Sequence, residues 1–309
     1  MIDFVLLSLP VFGVVAIGWL ALRLGLLPPA SLDALGGFSF RFALPALVFR
    51  LIGAHPLSES FDAVFYVGYL GAGGLVFVAM VLISRHMGNQ PPTLAAAHAT
   101  AATVSNLGFL GPPLMLAFFG ERGAGPLAMA ILAEVTILLP LGGVLMGASP
   151  VRKGGVASMI IRGTLLNPVV LGILLGAAFA ASGQALPDPI DRFLSFLGAA
   201  AGPTALFALG GALAIQRIER STVETAARIS IVKLVIYPGV VWIVLSAVLG
   251  AETFWVQTGV LIASLPTAGS VYVLAQRYDT DAEGVSSATV LATVLSLFSV
   301  PLTAWLILH

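Results

Sequence analysis

Cysteine is absent from the 309-residue chain, which excludes disulfides, thiolate metal sites and cysteine catalysis. Charge is scarce as well: 9% of the residues are Asp, Glu, Lys or Arg, against about 25% in a soluble domain, so the chain cannot cover itself for water. The 14 basic and 14 acidic side chains balance and form no basic tract, which leaves no footprint for a nucleic-acid partner. The histidines, His55, His86, His98 and His309, are scattered, so no metal constellation is expected, and nothing suggests a cofactor. No Ser–His–Asp order can be assembled across loops this short, and the chain is not expected to be an enzyme. The "GAGG" at Gly71–Gly74 lacks the strand–helix setting of a nucleotide loop and reads as close helix packing.

What fills the chain is apolar side chain, 59% of it, with a mean hydropathy of +1.05. A helix crossing a bilayer needs about 20 mostly apolar residues. Segments of that kind fall near 4–23, 35–53, 61–83, 93–118, 124–147, 163–182, 192–215, 229–249, 253–276 and 285–308. The first, from Phe4, has neither a basic n-region nor an A-x-A site and reads as a span rather than a signal peptide. The prediction is an all-α membrane protein of ten transmembrane helices.

Basic residues collect on the cytoplasmic side. With the N-terminus outside, the inner loops gather Arg23, Arg85, Arg152, Lys153, Arg162, Arg217, Arg220, Arg228 and Arg277, and the outer loops keep Arg122 and Arg192. Both termini are then extracytoplasmic, and the Ala/Gly-rich, short-looped chain suggests a bacterial inner membrane.

Five spans lie in residues 1–148 and five in 163–309, on either side of a polar cytoplasmic linker at 149–162. An odd number per half means that the second half enters the membrane inverted. Short matches recur in the same order: "PALVF" at Pro45–Phe49 with "PTALF" at Pro203–Phe207, and "LAEV" at Leu132–Val135 with "LATV" at Leu291–Val294. Spans 4 and 9 carry interruptions at corresponding places, "SNLGFLGPPLML" at Ser105–Leu116 and "SLPTAGSVY" at Ser264–Tyr272. Paired interrupted helices in inverted halves mark the substrate site of a secondary transporter, because irregular backbone at membrane depth is tolerated only against protein or water.

Proline costs about 3 kcal/mol inside a helix but is accepted in its first turn. Pro112 and Pro113 are therefore expected to start a second half-helix after a turn permitted by Gly108 and Gly111, with Asn106 closing the first half. In span 9, Pro266 is expected to open the second half-helix with Ser264 as its N-cap, while Thr267, Ala268, Gly269 and Ser270 supply hydroxyls or close backbone approach. Two half-helix N-termini meeting at the midplane, each equivalent to roughly half a positive charge, would bind an anion without a dedicated arginine.

Other polar residues have two readings each. Glu134 is the one carboxylate placed near mid-membrane, where desolvation favours the neutral acid; it is a candidate proton carrier or a structural glutamate. His98 is a pH sensor or a satisfied histidine. Arg41, Arg50 and Lys233 read as basic chains snorkelling to the interface, with a charge lining the substrate path as the alternative. Tyr272 stacks on a substrate ring or packs.

The sequence resembles the auxin efflux carrier family, which includes plant PIN-type auxin exporters and bacterial carriers for malate, malonate and similar acids, within the wider bile, arsenite and riboflavin transporter superfamily. In "NLGFLGPP" the family's N-x-x-x-x-G-x-P falls on Asn106, Gly111 and Pro113; "LPTAGSVYVLAQRY" is similar to the span-9 pattern through Leu265, Pro266, Ala275 and Tyr278. "NPVVLGILLG" at Asn167–Gly176 and "FALGGAL" at Phe207–Leu213 also look like their counterparts. The resemblance implies two inverted five-helix repeats, with broken helices 4 and 9 crossing at the midplane. It implies a scaffold domain from helices 1, 2, 6 and 7, a transport domain from 3–5 and 8–10, and a homodimer through helix 2. The expected function is elevator-type alternating access for a small organic anion, driven by the membrane potential, by protons or by sodium. The alternative is a membrane sensor that binds a ligand without moving it.

Overall fold

The computed structural model describes residues 2–86, 89–147, 166–216 and 218–309, and within these every extended regular element is helical. Among the described residues, seven helical runs are long and apolar enough to cross a membrane: Phe4–Arg23, Ala30–Gly53, Leu57–His86, Gly111–Met146, Asp188–Ile215, Arg220–Val248 and Ala282–Leu308. The number differs from the ten of the sequence reading because spans 4 and 9 are interrupted and the span predicted at 163–182 begins outside the described residues. Pro92–Thr103 has 12 residues, which at 1.5 Å each rise about 18 Å, short of a hydrocarbon core of about 30 Å. Thr253–Ala263 and Pro168–Ala181 are likewise short apolar helices. The 149–162 linker, and with it Arg152, Lys153 and Arg162, together with Arg217, lies outside the described residues.

The chain forms two compact units, each drawing on both halves of the sequence. The first comprises Met1–Asp62, Leu107–Met129 and Leu165–Gln216. In it the helix Ile2–Arg23 packs along Ala201–Ile215. Their backbones touch at two glycines: a Cβ on Gly210 would lie 1.9 Å from the Val15 carbonyl oxygen, and one on Gly18 2.1 Å from that of Phe207. Lipid tails are as apolar as leucine, so such close contact, rather than escape from water, drives helices together in a bilayer. Leu44–Gly53 packs on Pro168–Ala181 and on Asp188–Ala199. Arg50 does not reach freely for the interface; its Nε donates to Asp191 at 2.7 Å and its Nη1 to Glu121 at 3.0 Å. Arg41 is exposed.

The second unit comprises Ala63–Asn106, Ala130–Thr164 and Arg217–His309. Its helix Ala63–His86 buries Phe65, Tyr69, Ala72, Val76, Phe77 and Met80 and exposes Val64, Val67, Leu75, Val78 and Leu82. A helix apolar on every face suits a lipid setting. Within "GAGG", Gly73 packs against Leu138 and Tyr237, whereas Gly71 and Gly74 face open space. The alanine-rich Pro92–Thr103 is buried at every residue from Ala95 to Thr103 and packs on Ala63–His86 and Leu139–Met146. Its small side chains let neighbours approach the break that follows it.

Candidate functional site

Both interruptions begin in the second unit, and there they pair with each other. The helix Pro92–Thr103 ends at Val104, and Thr253–Ala263 ends at Ser264. Ser105 and Thr267 then form an antiparallel bridge: the Asn106 N–H donates to the Pro266 carbonyl at 2.8 Å, and the Ala268 N–H donates to that of Val104 at 3.1 Å. The Thr267 hydroxyl adds a bond to the Ala101 carbonyl at 2.8 Å. Backbone groups freed from helices at membrane depth must be satisfied by protein. Here each break supplies what the other lacks.

Pro266 therefore does not start a helix, contrary to the sequence reading. Its carbonyl serves the bridge, and the next helix, Gly269–Arg277, opens only after the extended Ala268. Nor is Ser264 an N-cap: it closes the preceding helix and its hydroxyl donates to the Leu261 carbonyl at 2.7 Å. Helix ends leave their first N–H groups without intrahelical partners, and a Cβ built on Gly269 would meet open space. Ser270 is exposed; Tyr272 is half-buried, packs on the unit's core and accepts a bond from Gln276 Nε2 at 2.6 Å.

Behind the bridge lies a buried polar network. Glu134 is completely buried. It accepts the Ser105 N–H at 2.6 Å, the Ser105 hydroxyl at 2.9 Å and the Tyr69 hydroxyl at 2.6 Å. The same Ser105 Oγ accepts from the Lys233 ammonium at 2.8 Å, and Lys233 also donates to the Ala263 carbonyl at 2.6 Å. The ammonium stands 4.6 Å from the centre of the Tyr237 ring, and Tyr237 in turn packs against Tyr69. Lys233 is fully buried, so the snorkelling expected of it does not occur. The backbone explains the aim of both charges. Glu134 opens the π-helical turn Glu134–Leu138, and Lys233 sits in another, Val232–Ile236. Such bulges re-phase the side chains of a helix and recur at functional sites.

His98 and Asp281 form a second polar pair in this unit, Nε2 to Oδ2 at 2.7 Å. Asp281 also caps the last helix by accepting the Gly284 N–H at 3.0 Å. The His98 hydrogen bond holds its carboxyl below the usual carboxylate range against the opposing effect of burial, with the Gly284 N–H assisting.

The structure thus brings Asn106, Pro266, Thr267 and Ala268 together, with Glu134 close behind them through Ser105. Gly108, Gly111, Pro112 and Pro113 fall in the first unit. There Pro112 and Pro113 sit in the first turn of the helix Gly111–Phe119, as read from the sequence.

The family model described as "Membrane transport protein" matches residues 4–304. The chain belongs to this family, that of the auxin efflux carriers. Among its relatives, a protein of Rhizobium meliloti described as "Putative malonate transporter" is 33% identical over 297 residues, covering 95% of this chain and 92% of its own length. An "Uncharacterized transporter" of Methanothermobacter thermautotrophicus is 31% identical, covering 95% of each chain. The mouse "Lysosomal cholesterol signaling protein" is 24% identical over 96% of this auxin efflux carrier homologue but only 36% of the mouse chain.

Sequence reasoning missed Ser105, Tyr69, Tyr237 and the Ala263 carbonyl as members of the network. One signal was present: Lys233 stands alone in "ISIVKLVIYPG", and an ionisable residue amid an apolar run is a functional candidate by default.

Proposed function

We propose that the protein is a secondary carrier that moves a small organic anion, a mono- or dicarboxylate, across the membrane by alternating access. One observation carries the reading: in a membrane transporter family member, two interrupted helices cross-pair at Ser105 and Thr267 directly over a buried Glu134–Ser105–Lys233 network. The substrate carboxylate binds at Asn106 and at the start of Gly269–Arg277, where the helix dipole and first-turn N–H groups favour negative charge. Thr267, Ala268 and Ser270 border it, and Tyr272 lies one turn along. Membership in a family of transporters, and the Rhizobium meliloti relative described as a "Putative malonate transporter", support this substrate class.

The reading extends to architecture. Ten membrane crossings form two inverted five-helix repeats, with the broken helices 4 and 9 at the centre. The second unit, which holds the paired breaks, supplies the moving part of an elevator, and the first supplies the scaffold through which two copies dimerise at helix 2. The protein sits in a bacterial inner membrane with both ends outside. Glu134 is the candidate for proton coupling and His98 the second; Glu134→Gln variants that keep pH-dependent transport would remove Glu134 from that role.

The test is counterflow in proteoliposomes. Radiolabelled malonate should exchange against unlabelled malonate in the wild type, and Asn106→Ala should abolish exchange while the purified protein keeps its wild-type unfolding midpoint. Unchanged exchange in that variant would refute the site. A second reading, ligand sensing without translocation, is favoured by the likeness to the mouse signalling protein; binding of an acid without counterflow would select it.

A further inference from the structure

The position of the Lys233 ammonium is unusual for a lysine and ordinary for a small cation. It lies in the helical run Arg220–Val248 that is apolar enough to cross the membrane, with no exposed surface. Its ligands are the Ala263 carbonyl and the Ser105 hydroxyl, with a Tyr237 face beside it and the Glu134 carboxylate one hydroxyl away. Ala263 is the last residue of Thr253–Ala263, so its carbonyl belongs to the negative end of that half-helix. A carbonyl at a half-helix C-terminus is a donor with which secondary transporters hold sodium, and the Ser105 hydroxyl and the nearby Glu134 carboxylate add further oxygens beside it. In this chain a covalently attached ammonium occupies them.

We infer that Lys233 is a built-in cation filling the monovalent-cation position of the paired breaks, so that the carrier neither binds nor needs sodium there. The inference about transport rests on the function proposed above; the inference about the cation position rests on the geometry alone. A tethered charge stays in place through every cycle, whereas a bound sodium ion could be released on one side and taken up on the other. The lysine thus removes sodium as a driving force and leaves the Glu134 and Ser105 oxygens compensated in all states.

The test uses the purified full chain and sodium chloride as the probe, with choline chloride as the control. Lys233→Ala removes the ammonium and leaves room; Lys233→Met removes the charge but keeps the volume. The unfolding midpoint of Lys233→Ala should climb with the logarithm of sodium concentration, each tenfold increase adding a similar increment once the site is saturated. Wild type and Lys233→Met should show no such climb beyond that seen in choline. A sodium-dependent climb in the wild type would overturn the inference, as would its absence in Lys233→Ala. Failure of Lys233→Ala to fold even in high sodium would do the same, since sodium would then not replace the ammonium. In proteoliposomes, wild-type malonate counterflow should be equal in sodium and choline, and a sodium requirement there contradicts the inference. Absent counterflow in both salts, with the Lys233→Ala midpoint still answering to sodium, would condemn the transport proposal while sparing the cation site.

Discussion

Replacing Lys233 by methionine keeps most of the side-chain volume and removes the charge that faces Glu134. The Lys233–Ser105 and Ser105–Glu134 bonds are 2.8 and 2.9 Å long, so laid end to end they place the two charges no more than about 5.7 Å apart. At an effective dielectric of about 20 that separation corresponds to an attraction of roughly 3 kcal/mol. Removing one partner of a buried pair typically costs about 3–5 kcal/mol, because the other charge stays behind without compensation. The scaling for proteins of about 150–250 residues gives about 2–4 °C per kcal/mol, so the unfolding midpoint of Lys233→Met should fall by on the order of 10 °C. Glu134→Gln should cost a comparable amount, since it strands the ammonium. The double variant should be less destabilised than the sum of the two singles by a coupling energy of about 3 kcal/mol. Tryptophan fluorescence of the detergent-solubilised protein in sodium-free buffer suits the measurement, because Trp255 packs on Phe65, which stacks on Tyr69 beside Glu134. Single substitutions costing less than about 1 kcal/mol each, or a double variant as unstable as the sum of the singles, would refute the argument.

Two further outcomes follow from other parts of the structure. Gly210→Ala would put a methyl carbon where the Val15 carbonyl already stands, and overpacking of this kind costs about 1–3 kcal/mol or more; a loss of folded yield on size-exclusion chromatography checks it, and wild-type behaviour contradicts the tight crossing. The Asp281 carboxyl is held below its ordinary value chiefly by the His98 hydrogen bond. A group with a depressed folded-state pKa stabilises the protein above its unfolded value, about 3.9 for aspartate, and loses that contribution as the pH falls through the lower folded value. The unfolding midpoint should therefore drop on acidification below about pH 4, and His98→Ala should make that drop shallower; an identical acid profile in the variant would remove the pair from the account.

Much of this was legible in the residues. Seven of the apolar runs stand as long helices, and the paired prolines at Pro112 and Pro113 do open a helix, because a proline in a first turn loses no bond that it could have made. The same rule failed at Pro266. A proline still has a carbonyl, and here that carbonyl takes the Asn106 N–H, a partner distant in sequence. Helix Gly269–Arg277 begins only once the bridge is complete, and no local rule could place that point. Lys233 failed for a related reason. Its nearness to the end of an apolar run suggested snorkelling, but the π-helical turn around it directs the side chain to Ser105 and Ala263. Ser105 lies within the interruption, but serines in helix breaks commonly serve their own backbone, so the residue type alone does not mark it as a partner of Glu134 and Lys233.

The central claim is that the paired breaks form the binding place of the transported acid. The most direct measurement is an experimental structure of the protein saturated with an acid that it exchanges in counterflow, malonate being the first candidate. The account predicts density for the carboxylate within hydrogen-bonding distance of Asn106 and of the backbone that opens Gly269–Arg277. A carboxylate bound away from both breaks, with the Ser105–Thr267 bridge uninvolved, would contradict it.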